Sequence, residues 1–277
     1  RARMHTRRGD LEGAITLYRQ LVSAAARPSD VAAFELELAD LLLSTHQAQQ
    51  SHDILQRLAI SRDLSERERL RALELLAESG WQRDDLQVVR NTLERLAQSP
   101  AGFAIASVGF TELAVIEGTV EIGRPYADSL VTTKPETALA NDALLWLRLF
   151  DAHIESPDAL QQFATGRLRL RQGRLDQATA IWKNLEQDGF SDLAHRLRIT
   201  AARGLEMDEP AAAMVLYEQI LSHQSRVLTQ AQREAYFEKG YVIVENVVPR
   251  DWIERLREVT AEFIERSRSY TESDAVW

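Results

Sequence analysis

Six histidines are the first place to look for chemistry: His5, His46, His52, His153, His195 and His223. They are scattered. Only His153-Ile154-Glu155 has the spacing of part of an iron triad, two histidines and a carboxylate. It falls at the end of an expected helix, no third ligand is suggested beside it, and no metal site is expected. The chain has no cysteine, which excludes disulfides, thiolate ligands and cysteine nucleophiles and fits a reducing, cytoplasmic setting. No HExxH, GxSxG, P-loop or GxGxxG motif occurs, so nothing before Ser225 supports catalysis.

Arginines are more suggestive. In 160–172 and just beyond, Arg167, Arg171 and Arg174 recur at i, i+4 and i+7, on one side of a helix. The next helix brings His195 and Arg198, with Arg203 further on. In a chain of net charge -9 this is a local basic cluster. Facing a groove, it would attract an acidic peptide or a terminal carboxylate. Arg167, Arg171, Arg174, His195 and Arg198 are therefore the candidate partner-binding residues. The alternative is that they solvate an outer face and pair with Asp176, Glu186 or Glu206. The same net charge argues against broad nucleic-acid or anionic-membrane binding. No run of about 18 apolar residues is present, so no membrane insertion is expected.

The elements that must position these side chains come from a repeat. Gly9, Leu11, Glu12, Ala14, Tyr18 and Leu21 match Gly173, Leu175, Asp176, Ala178, Trp182 and Leu185. The shift that carries Ala178 to Ala213 also carries Ile181 to Leu216, Trp182 to Tyr217, Leu185 to Ile220 and Gly166 to Ala201. Small residues let two helices approach closely, and an aromatic four residues on sits one turn along the same face. This pattern resembles the tetratricopeptide repeat (TPR) family, with Gly166 the small residue of its first helix, Gly173 at the turn, and Ala178 and Trp182 on its second helix. The resemblance covers about 159–224 and 9–28; the usual closing proline is absent. Between about 65 and 155 the signature is missing, although helices are expected over 65–79, 84–98 and 136–153. Ser29-Asp30 reads as the cap of a helix over 31–43, and Pro135 and Pro157 as first-turn prolines. The resemblance implies an all-α, TPR-like helical-hairpin solenoid over 1–225, acting as a protein-interaction scaffold.

The last fifty residues read differently. A helix over 230–239 should stop at Gly240. Tyr241–Val248 is β-branched and aromatic, hence a strand. Pro249 ends it, and Trp252, Ile253, Leu256, Val259 and Phe263 recur at helical spacing from Arg250 on. Leu228-Thr229, Phe237-Glu238-Lys239-Gly240-Tyr241, Val244-Glu245-Asn246-Val247-Val248 and Ile253-Glu254-Arg255-Leu256-Arg257 together resemble the opening of the phytanoyl-CoA dioxygenase family. That resemblance implies that 226–277 is the truncated front of a double-stranded β-helix. Iron(II) and 2-oxoglutarate would then be the cofactors of a complete domain. No histidine follows His223, so no iron ligand carries over and this chain is expected to hold no complete active site. The orphan strand is expected to find no proper sheet. The start at Arg1 and the end at Trp277 suggest a fragment of a longer reading frame, and the junction near Ser225 reads either as a linker or as a join between unrelated genes.

Overall fold

The computed structural model describes residues 10–206, 209–222, 238–240 and 250–268. Among the described residues all regular structure is helical, as the sequence predicts for 1–225. The chain divides into two compact units, Arg1–Ile220 and Leu221–Trp277.

The first unit contains α1 (Leu11–Ala24), α2 (Pro28–Ser44), α3 (Ala48–Leu58), α4 (Glu66–Gln82), α5 (Leu86–Ala97) and α6 (Phe103–Ile116). There follow α7 (Val120–Thr133), α8 (Ala138–Ala152), α9 (Pro157–Arg171), α10 (Leu175–Gln187) and α11 (Ser191–Leu205), then α12 (Pro210–Ser222), within which the division between the units falls. Local chemistry sets the starts. Asp10 accepts from the Gly13 amide, Asp85 from that of Val88, and Ser65 with Glu68 forms a reciprocal capping box. Pro157 opens α9 as expected. Two starts differ from the expectation. Pro28, with its φ already helical, begins α2 one turn early, and Asp30 serves instead as the partner of Arg27 at 2.8 Å. Pro135 lies in a turn before α8, which starts after Thr137.

Five helices end the same way. The residues after α2, α4, α6, α9 and α10 that take positive φ are His46, Asp84, Gly118, Gly173 and Gly189. In each case the next amide reaches back to the carbonyl five residues earlier, as in Gln47 to Leu42 at 2.7 Å, Asp85 to Gly80 at 2.9 Å and Arg174 to Arg169 at 2.8 Å. This is the Schellman closure, which satisfies carbonyls that a helix end leaves orphaned.

Counting from the turns exposes one register in four hairpins. Seven residues before the turn stands a small buried residue: Ala39, Ala77, Thr111 and Gly166. Twelve residues later, on the second helix, comes its partner: Ser51, Val89, Gly123 and Ala178. In the first and third hairpins the two positions are hydrogen-bonded. Ser51 Oγ donates to the Ala39 carbonyl at 2.8 Å, and Thr111 Oγ1 to that of Gly123 at 3.3 Å. One and two turns further along the second helix stand Leu55 and Leu58, Leu93 and Leu96, Ala127 and Leu130, and Trp182 and Leu185, all buried. The stretch without a recognisable signature therefore carries the same pattern with different residues.

One helix breaks the alternation. α8 stands between the third and fourth of these hairpins and packs on both α6 and α7. The next helix, α9, then reaches helices far back in the chain. It packs on α6 and on the end of α4, where Gln172 Nε2 donates to the Trp81 carbonyl at 3.0 Å. Its other side joins a core of Trp146, Phe150, Phe163, Trp182 and Leu197. At Gly173 an added Cβ would stand 3.1 Å from the His46 ring, so the turn after α9 also meets the turn after α2.

In the second unit Glu238 and Lys239 are helical, and Gly240 has φ +75°, the conformation expected of a residue that closes a helix. The helix expected from Arg250 is α13 (Arg250–Arg268), with Val259 and Ile264 exposed. The expected strand Tyr241–Val248 lies outside the described residues.

Candidate partner-binding face

The register that aligns the hairpins also aligns their charges. Directly after the small residue of the first helix come Asp40 on α2, Glu78 on α4 and Glu112 on α6, and in the fourth hairpin Arg167 on α9. Equivalent positions present three acids in succession and then a base.

Glu112 is buried and lies among arginines. Arg167 Nε approaches its Oε1 at 3.2 Å, and Arg171 Nη1 its Oε2 at 3.4 Å. Arg171 Nε also reaches Glu78 at 3.4 Å. The Arg171 guanidinium stands 5.2 Å from the Trp81 ring centroid, and that of Arg167 stands 5.3 Å from Trp146. Burial alone would push the Glu112 carboxyl up, but the guanidiniums of Arg167 and then Arg171 outweigh it and hold the group below the ordinary carboxylate range. Burial likewise opposes the charge on Arg171, and Glu112 and Glu78 more than restore it.

The candidate arginines are thus divided rather than gathered. Arg167 and Arg171 meet at Glu112. Arg174, exposed at the turn, lies 3.8 Å from Asp84, which is held chiefly by Arg169 at 2.9 Å. Arg198 is buried on α11, forks onto Glu186 of α10 and stands 5.9 Å from Trp182. His195 is half-buried on the same helix. Of the acids named as alternative partners, Glu186 is used by Arg198, and Glu206 accepts from the Tyr217 hydroxyl.

Two adjoining hollows flank the acidic positions. One, of about 310 Å³, lies between α2 and α4 and is lined by Asp40, Ser44, Arg71, Glu74, Glu78 and Gln82 among others. Arg71 bridges Asp40 at 3.1 Å and Glu74 at 2.8 Å, and all three side chains are more than two-fifths exposed. The second, of about 180 Å³, is mainly apolar; Trp81, Leu93, Ile105, Val108 and Leu139 line it, with Glu74, Glu78, Glu112 and Arg171. Glu74 and Glu78 belong to both. No family model, curated protein or solved structure matches this chain.

His52 and His153 are occupied within the fold. His52 is buried with Nδ1 3.1 Å from Ser79 Oγ. Ser79 donates its own proton to the Leu76 carbonyl at 2.7 Å, so His52 Nδ1 must be the donor, and Ser79 is not set up as a nucleophile. Burial, then Arg83, push His52 below its ordinary pKa. His153 pairs with Asp192 at 3.0 Å rather than with Glu155, and no group of three His, Asp or Glu among the described residues is placed to hold a metal. Among the described residues no helix is long and apolar enough to cross a membrane.

The acidic positions are what sequence reasoning missed. Asp40, Glu78 and Glu112 recur at nearly even intervals, a signal visible only once the turns are placed at His46, Asp84 and Gly118.

Proposed function

We propose that this chain is a protein-interaction scaffold, a TPR-like helical-hairpin solenoid that holds a protein or peptide on the face made by α2, α4 and α6. The observation that carries this reading is the shared register of the four hairpins. One buried framework recurs, while the residue beside it changes from Asp40 to Glu78, Glu112 and Arg167. An array of this kind presents a row of side chains at fixed spacing, which suits recognition of an extended partner. The arginines expected to capture an acidic partner are engaged with Glu112, Glu78, Asp84 and Glu186, which weakens that choice of partner. The test is a screen of peptides of varied charge by fluorescence anisotropy against the folded chain. Saturable binding that is lost on altering α2 or α4 surface residues supports the scaffold. Absence of binding by every peptide class contradicts it.

A second reading makes 226–277 the front of an iron(II)/2-oxoglutarate dioxygenase, with the helical region recruiting substrate or partner. The left-handed Gly240 and the start of α13 at Arg250 are in keeping with it. The residues after Leu228 include no histidine, so they do not fit the iron. The coding sequence downstream of Trp277 tests this reading, which requires an HxD pair and a later histidine.

A further inference from the structure

We infer that the face of α2, α4, α6 and α8 takes a basic peptide that carries one large apolar anchor. The anchor sits in the Trp81–Leu139 hollow and a neighbouring lysine or arginine in the Asp40–Glu74 cleft. This deepens the scaffold reading and rests on it.

The anchor site follows from size and lining. An apolar cavity of roughly 150 Å³ accommodates a benzene-sized group. The hollow beside Trp81 offers about 180 Å³, walled by Ile105 and Val108 of α6, Leu93 of α5 and Leu139 of α8. A leucine or aromatic side chain matches it, and a buried central anchor ringed by polar groups is how peptide interfaces concentrate affinity.

The charge of the partner follows from the rim. The two hollows are lined by the carboxylates of Asp40, Glu74, Glu78 and Glu112 against the guanidiniums of Arg71 and Arg171. Arg167 balances one of the two excess acids through Glu112, which leaves the face negative. The negative end is the α2–α4 cleft. There Asp40 and Glu74 are 47% and 41% exposed at the side chain and share Arg71. Gln82 also lines this cleft; its side-chain amide oxygen is buried and accepts no hydrogen bond from the described residues. The chain itself shows the chemistry one hairpin along. Arg171, arriving from α9, places its guanidinium over Trp81 between Glu78 and Glu112. At the equivalent cleft around Asp40 the cation is Arg71 of the adjacent α4, and none of the described residues brings an arginine from a distant helix. An incoming lysine or arginine would repeat at Asp40 and Glu74 what Arg171 does at Glu78 and Glu112.

The experiment uses the full chain and three fluorescein-labelled peptide pools. The first has lysine or arginine at fixed positions around one leucine, phenylalanine or tryptophan. The second has glutamate in place of the bases, and the third keeps the bases but has alanine at the anchor. The first pool is expected to bind, with affinity that falls as salt is added, and the third to bind more weakly. Glu74→Lys and Val108→Trp, which fills the hollow, are each expected to weaken binding of the first pool roughly tenfold or more, with helical circular dichroism unchanged. Binding of the glutamate pool instead, or binding of the first pool that survives both substitutions, overturns the inference and leaves the scaffold standing. Binding by no pool overturns both. Should either variant lose helicity, Asp40→Asn with Val108→Met replaces the pair, and the same loss of affinity is required.

Discussion

Two sites at the same position in different hairpins behave differently. At Glu112 the chain supplies its own cations from α9, three helices further on, and the carboxylate is buried. At Asp40 the cation is Arg71 of the neighbouring α4, and the pair stays open to solvent. The first arrangement ties α6 to α9 and α4. The second holds little together and leaves a cleft. One repeated position thus lies once in a buried cluster that ties helices together and once beside an open cleft, and the difference goes with the placing of α8. By adding a helix between hairpins, it shifts α9 off the simple alternation and onto α6 and α4.

Removing each carboxylate in turn separates the two sites by their effect on stability. Glu112→Ala should cost about 3–5 kcal/mol, because two guanidiniums are left without their buried partner. Asp40→Ala should cost less than about 1 kcal/mol, as exposed pairs do. Urea melts of the two variants give the contrast directly, and equal losses would erase it.

Smaller effects sharpen the picture. Gly173→Ala forces a Cβ onto a left-handed residue and against the His46 ring. Strain of that kind should cost about 2 kcal/mol. The same substitution at Gly189, where an added Cβ meets nothing, should cost only the backbone part of that. The difference between the two melts reads the contact between the turns after α9 and α2. Ser65→Ala removes one half of the α4 capping box. Its loss should cost about 1 kcal/mol.

Acidity separates the two classes of buried group. The folded His52 has a lowered pKa, so its contribution is complete above about the ordinary 6.5 and is lost as pH falls below it. Glu112 is also lowered, but as an acid it contributes fully above the ordinary 4.5 and loses that contribution as pH falls through the folded value. Urea midpoints should therefore decline in two stages. The upper stage should shrink in His52→Gln and the lower one in Glu112→Gln.

Much of the helical framework is legible because Ala14, Tyr18 and Leu21 repeat so visibly as Ala178, Trp182 and Leu185. The middle copies are hidden by exchange of volume. Ser51, Val89 and Gly123 stand where alanine does elsewhere, and Leu55, Leu93 and Ala127 stand for the aromatic. The turns are hidden because His46 and Asp84 take the left-handed conformation usually left to glycine. Pro28 and Pro135 show the limit of cap rules, since one begins its helix and the other misses it by a turn. The spacing of Arg167 and Arg171 puts them on one side of α9, and they do meet at one carboxylate. What faces them is not legible, because Glu112 lies three helices earlier and only the packing of α9 onto α6 brings it there. A cluster that reads as a docking site in sequence has found its partner inside the chain.

The most direct test is one titration of Glu74→Lys with the basic, apolar-anchored peptide pool, with a urea melt taken on the same preparation. Affinity is expected to fall roughly tenfold while stability stays within about 1 kcal/mol of the parent. An unchanged affinity, or a stability that collapses as it does in Glu112→Ala, would show that the open cleft and the buried cluster are not the two different things described.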